Sequence, residues 1–329
     1  MEQNLKGYFM RYIISFLIAT FPTFASADVP KVITDIPPIH ALVSQVMGDL
    51  GTPVLLLEKG ADEHDFQLRL SQMTDIVQAD LVIWVGPELT PWLEQALGNA
   101  KPGYVSLALF DLEATIKLAV VEDQGAAPDH AAEEEADDPA AKESEHQPET
   151  EEKHPHDGAD PHVWLDPGNA MIWLDTIAAE LAKADAQNTV IYQANATAAK
   201  ARIAALDVEL QALLAPVKDR PFVTFHDAYG YFVAHYGLTF AGSVAIGDAS
   251  TPGAARLRAL QGTMAGGVVC AFPEVQHDPA LLMQLLDGTA VRAGAAIDPV
   301  GSSLPVGPDA YDALMRTLAT HLADCLNGA

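Results

Sequence analysis

Two stretches of this chain alternate short apolar runs with helix-patterned segments, and this alternation constrains the fold more than any other feature. The first stretch reads as buried strands at 32–34, 54–57, 81–85 and 105–109, with helices at 38–47, 71–78 and 90–97 between them. Pro38 suits a first helical turn, and Ser71 and Thr90 suit N-caps. Residues 116–121 read as one more strand. The second stretch repeats the pattern, with strands at 222–225, 239–244, 268–272 and 291–297 and helices at 229–235, 252–264, 279–286 and 308–326. Strands that alternate with helices form parallel sheets covered on both faces. The expected fold class is therefore α/β, with two parallel-sheet lobes.

Between the two stretches lie a predicted helix at 170–183 and a longer one at 187–214. In the longer one Ile191, Ala194, Ala198, Ala201, Ala205, Val208 and Ala212 recur at steps of three and four, which predicts one buried face. Such a helix spans about 42 Å and is a candidate rigid spacer between lobes. The expected division is a leader at 1–27, an N-terminal lobe at 28–186, a linking helix at 187–214 and a C-terminal lobe at 215–329.

Residues 122–160 break the pattern. They hold 15 Asp or Glu against 2 Lys and no large aliphatic or aromatic side chain. Such a segment buries too little apolar surface to offset its ordering entropy, which predicts a disordered surface insertion. The whole chain carries a formal charge of −27. A chain this acidic lacks the basic face that nucleic acid requires.

The first 27 residues read as a secretory leader. Lys6 and Arg11 supply the positive start, 12–24 is almost wholly apolar, and Ala25-Ser26-Ala27 suits cleavage. No cysteine follows the cleavage point to carry a lipid anchor, and no later run is long enough to span a membrane. The expected location is a Gram-negative periplasm. Cys270 and Cys325 are the only cysteines. In an oxidising compartment an isolated pair reads as one disulfide, with two buried free thiols as the alternative.

The histidines carry the chemistry. His64 lies in the loop after the 54–57 strand, His226 at the carboxyl end of the 222–225 strand, and His162 where order resumes after the insertion. Asp298 ends the 291–297 strand, and Glu63 adjoins His64. In open α/β sheets ligands bind beyond the carboxyl ends of strands. If the lobes face each other, these residues converge. Three imidazoles and one carboxylate suit zinc, copper, iron or nickel better than calcium, magnesium or manganese, and three nitrogens with one oxygen are an ordinary tetrahedral set for zinc. His130, His146, His154 and His156 lie within the insertion, where no packing holds them, and are expected to bind metal weakly. His40 is a marginal ligand candidate, otherwise a capping or surface residue. His235, His277 and His321 are expected on helix or loop surfaces.

At these residues the chain resembles a known family. GADEHDF (60–66), ADLVIWVGP (79–87), HVWLDP (162–167), HDAYGYF (226–232) and DPVG (298–301) occur in the order found in the periplasmic zinc-binding proteins of high-affinity zinc ABC importers, the ZnuA family. The paired cysteines and the His-rich acidic insertion match as well, so the resemblance covers essentially the whole mature chain. It implies two αβ lobes joined by one long helix, with metal between them. It implies His64, His162 and His226 as zinc ligands, with Glu63, Asp298 or a water in fourth place. Manganese-binding relatives tend to carry Glu in place of His226, so the histidine favours zinc. The implied partner is an inner-membrane ABC zinc permease, and the implied state is a monomer without catalytic activity. A zinc hydrolase, a surface adhesin and a zinc buffer that never meets a permease are the alternatives. No HExxH pair supports the first, and the absence of a lipid-anchor cysteine weighs against the second.

Overall fold

The computed structural model describes residues 29–119, 158–245 and 252–328. The leader, His130, His146, His154 and His156 lie outside the described residues, as does the insertion apart from 158–160.

The first sheet contains β1 (Val32–Thr34), β2 (Val54–Leu55), β3 (Leu81–Trp84) and β4 (Val105–Ala108), all parallel, in the order β2-β1-β3-β4. Helices α1 (Pro37–Met47), α2 (Leu70–Gln78) and α3 (Pro91–Leu97) connect them. The central strands β1 and β3 are buried along their whole length, as parallel strands covered on both faces must be. After α4 (Pro167–Ala184) and α5 (Thr189–Leu214) the topology repeats. Strands β5 (Phe222–Thr224), β6 (Phe240–Ser243), β7 (Cys270–Phe272) and β8 (Arg292–Ala293) form a second parallel sheet in the order β6-β5-β7-β8. Helices α6 (Gly230–Tyr236), α7 (Ala254–Ala265), α8 (Ala280–Leu286) and α9 (Ala310–Asn327) complete that half. The strand order reverses between β1 and β3 and again between β5 and β7. Such switch points open a crevice at the carboxyl ends of the strands.

Several local expectations need correction. Of the strand expected at 116–121, the described residues 116–119 contribute only a bridge from Ala119 to Ala159. The backbone N–H of Ile116 is spent on Asn169 Oδ1 at 2.8 Å and that of Leu118 on Tyr231 Oη at 2.9 Å, so no ladder can form. Ser71 lies inside α2, whose N-cap is Arg69. Thr90 is the N-cap of α3, but its hydroxyl turns to Gly86 O and Asp35 instead of the helix. The long helix is present, but its buried face is Tyr192, Ala196, Ala199, Ile203, Leu206, Leu210 and Leu214. Every residue of the predicted face is exposed. Alanine recurs on both sides of this helix, so its spacing carries little information, and the larger side chains decide which side packs.

Helix α5 packs against α1 and α4 on one side of the molecule and against α9 on the other. One continuous apolar core runs from Val32, Ile39 and Trp173 through Ile203 to Phe222, Tyr311 and Leu318. Smaller clusters back the outer faces of each sheet. The halves are also stitched by polar contacts: Trp164 Nε1 donates to Pro299 O at 2.8 Å, Tyr311 Oη to Trp164 O at 3.1 Å, and Gln45 Nε2 to Pro308 O at 2.6 Å. Buried close-packed interfaces of this kind resist wide opening. Cys270 in β7 and Cys325 in α9 form the expected disulfide.

His235 is half-buried, not a surface residue. Its Nδ1 faces Asp166 Oδ1 at 3.1 Å and its Nε2 faces Asp207 Oδ1 at 2.8 Å, which ties α6 to α5 and to the start of α4. The Asp166 bond, aided by Asp207, raises its pKa above the ordinary 6.5. A folded pKa above the unfolded one adds stability that is complete below pH 6.5 and is lost as pH rises through the folded value. The difference in urea midpoint between wild type and His235→Gln is therefore expected to be largest near pH 5.5 and to narrow by pH 9. A difference independent of pH would contradict this role.

Candidate metal centre

The carboxyl end of the second sheet supplies the most enclosed groups. His226 follows β5 by two residues and Glu274 follows β7 by two, on the two sides of the switch point. His226 is 2 % exposed and Glu274 3 %. Glu274 Oε2 lies 2.5 Å from His226 Nδ1, and its Oε1 accepts from Tyr229 Oη at 3.0 Å. A carboxylate on Nδ1 places the proton there, so Nε2 presents its lone pair. Burial, with Glu274 close by, raises the Tyr229 phenol well above its usual range and keeps it a donor.

His162 opens the 3₁₀ turn Val163–Leu165, whose three side chains are buried and fix its position. Its Nδ1 pairs with Asp160 Oδ1 at 2.7 Å, and the same oxygen accepts its backbone N–H at 2.9 Å. His162 therefore shares the Nδ1-protonated form and also turns Nε2 outward. Asp227, beside His226, has its carboxyl raised by burial and by the facing charge of Asp160.

His64 comes from the long β2–α2 loop. Asp62 Oδ1 accepts its backbone N–H at 2.8 Å, and Gly60 N donates to Ser302 O of the opposite half. Trp92 Nε1 holds the neighbouring carbonyl of Glu63 at 2.8 Å. His64 Nε2 lies 3.3 Å from His162 Nε2. Ligands on a tetrahedral ion with bonds of about 2.05 Å are about 3.3 Å apart. One ligand atom each from His64, His162 and His226 fall within 4.8 Å of one another.

Neither candidate for fourth place belongs to that group among the described residues. The Asp298 carboxylate accepts from Gly301 N, Ser302 N, Ser303 N, Ser303 Oγ and Gln276 Nε2, at 2.6–3.2 Å. It fixes the 299–303 turn. Glu63 is buried. His40 is neither a cap nor a surface residue: it is buried in α1, with Nε2 donating to Pro53 O at 3.1 Å. Burial lowers its pKa. His321 is half-exposed on α9 and bonds Ala296 O. His277 is not on the surface: its ring stacks on Phe225 with centroids 4.4 Å apart, and its Nε2 lies 3.6 Å from Glu274 Oε2.

Sequence reasoning missed Asp160 and Glu274. Glu274 follows a strand end just as His226 does, so the same rule finds it. Asp160 stands two residues before His162. Groups that orient a ligand from behind are worth about 10–100-fold in metal affinity. Asp160→Ala is accordingly expected to weaken zinc binding by that amount in competition with a chromogenic chelator, and an unchanged affinity would contradict it.

No helix among the described residues is long and apolar enough to cross a membrane. The chain is 47 % identical over 326 residues to the high-affinity zinc uptake system protein ZnuA of Paracoccus denitrificans, covering 95 % of this chain and 97 % of that one. It is 36 % identical to the protein of the same name from Brucella suis, covering 99 % of each. Among solved structures, a crystal structure of ZnuA superimposes with a TM-score of 0.70 at 22 % identity, over 91 % of this chain and 99 % of that one. The Mn-bound periplasmic metal binding protein of Candidatus Liberibacter asiaticus gives the same score and identity over 90 % and 99 %. These structures establish the shared fold. The family model for zinc-uptake complex component A, periplasmic, matches residues 32–325. This chain belongs to the ZnuA family.

Proposed function

We propose that the protein captures Zn2+ in the periplasm, between its two lobes, and delivers it to an ABC-type permease in the inner membrane. The observation that carries this reading is the convergence of His64, His162 and His226 within 4.8 Å. The names of the relatives support zinc as the cargo. Three neutral nitrogens select zinc over the harder manganese, which prefers oxygen. For the fourth place Glu63 or a water is the better candidate, because the oxygens of Asp298 already accept five bonds.

Capture and release need no bond chemistry. Two of the three imidazoles already hold their tautomer through carboxylates, so binding requires little reorganisation. The shared core across α5 restricts the lobes to small tilts around the ion. Scattering profiles with and without zinc are expected to overlay, and a large compaction would contradict that. Within this reading the insertion collects zinc weakly near the cleft. Removing 122–157 should abolish extra weak sites and leave the tight one.

Calorimetric titration of chelator-stripped protein tests the proposal. One tight zinc equivalent is expected, with manganese at least tenfold weaker. Manganese binding as tight as zinc would overturn it. Deletion of the gene should impair growth in chelated medium and be rescued by added zinc, which distinguishes import from buffering.

A further inference from the structure

The ring of His226 belongs to two groups. Its second set is Glu274 and His277, with one ligand atom each again within 4.8 Å. Glu274 Oε2 stands between the two rings, 2.5 Å from His226 Nδ1 and 3.6 Å from His277 Nε2. The second separation is close to the spacing of about 3.3 Å between ligands on a tetrahedral ion. Two imidazoles and one carboxylate form a familiar donor set for zinc and its chemical neighbours. The rings of His226 and His277 are 5.9 Å apart and nearly perpendicular, and stacking on Phe225 fixes the second ring. The group is graded in access: the side chain of His277 is 15 % exposed, against 3 % for His226 and 1 % for Glu274.

We propose that His277, Glu274 and His226 form a second position for a divalent ion of the zinc type, which holds the ion in transit between solvent and the three-histidine centre. The proposal rests on the reading of that centre only in taking His226 as shared. An ion arriving at His277 meets Glu274 next and His226 last, and the other edge of the His226 ring faces His162. The two positions lie on opposite edges of one ring, so an ion released from Glu274 and His277 is already beside the three-histidine centre. Binding at the second position is weaker, because Glu274 must give up its bond to His226 Nδ1 and that nitrogen must lose its proton to solvent before it can take an ion.

The test uses the mature full chain with His64→Ala and His162→Ala, which disables the three-histidine centre, and Co2+ as the paramagnetic probe. Cobalt is expected to shift and broaden the ring resonances of Phe225, which lies against His277. Adding His277→Asn should abolish that effect while binding elsewhere on the chain continues. Phe225 resonances that stay sharp when residual cobalt sites are filled would overturn the proposal, as would broadening unaffected by His277→Asn. The same comparison with His64→Ala alone covers the case in which the double variant does not fold. In the otherwise wild-type chain, His277→Asn should slow zinc loading several-fold in stopped flow while affinity stays within about threefold. An unchanged loading rate would remove the transit role. Wild-type titration reports separately on the three-histidine centre, so failure of one reading is distinct from failure of the other.

Discussion

Replacing His226 with alanine is expected to weaken zinc binding by more than about 100-fold, or about 3 kcal/mol. The estimate follows from position. A group that only orients a ligand is worth about 10–100-fold, and removal of a ligand must exceed that. Among the three histidines of the centre His226 is the most buried. It is also the one whose Nδ1 is held by a carboxylate that is itself fixed by Tyr229. The substitution therefore removes one of three donors and leaves Glu274 in a buried site with one hydrogen-bond donor fewer. His321→Ala is the matched control, since that side chain is half-exposed and bonds a backbone carbonyl, that of Ala296. Competition with a chelator of known zinc affinity reads both variants. Equal affinities for the two would show that His226 is not a ligand.

The second large effect concerns the fold. The Cys270–Cys325 bond closes a separation of 55 residues. On the chain-entropy model a loop of that length contributes about 4 kcal/mol. The bond joins β7 to α9, and α9 packs against both α1 and α5, so it anchors a helix that contacts both halves. Cys270→Ala with Cys325→Ala is expected to lower the unfolding free energy by about that amount in urea titration. Zinc affinity should change much less, because Cys270 begins β7 and Glu274 lies beyond its far end. A loss below about 1 kcal/mol would mean that packing of α9 alone carries the stability.

How much of this could be read from the chain depends on the residue type that carries each signal. The central strands were legible because runs such as Leu-Val-Ile-Trp at 81–84 are continuously apolar, as strands buried on both faces require, whereas the exposed edge strand at 291–297 shrank to Arg292–Ala293. The face of α5 was misread because alanine is neutral between core and solvent. Its heptad-like recurrence at 194, 198, 201 and 205 competed with Ile203, Leu206 and Leu210, whose size determines burial. Over the described residues 116–119 no strand forms because Asn169 and Tyr231, distant in sequence, claim the backbone donors that a ladder needs. At the candidate centre the convergence of the three histidines was legible from strand ends and from motif. Glu274 could have been found by the same strand-end rule, but Asp160 and His277 could not, since the ring nitrogen that Asp160 faces and the contact of His277 with Glu274 are fixed only by tertiary packing.

The central claim is that three imidazoles from distant parts of the chain share one ion. X-ray absorption at the zinc K-edge, on protein loaded with a single equivalent, tests it most directly. Three histidine rings at about 2.0–2.1 Å are expected, falling to two in His226→Ala and in His64→Ala alike. A wild-type spectrum with one ring or none, or one that neither substitution alters, would contradict it.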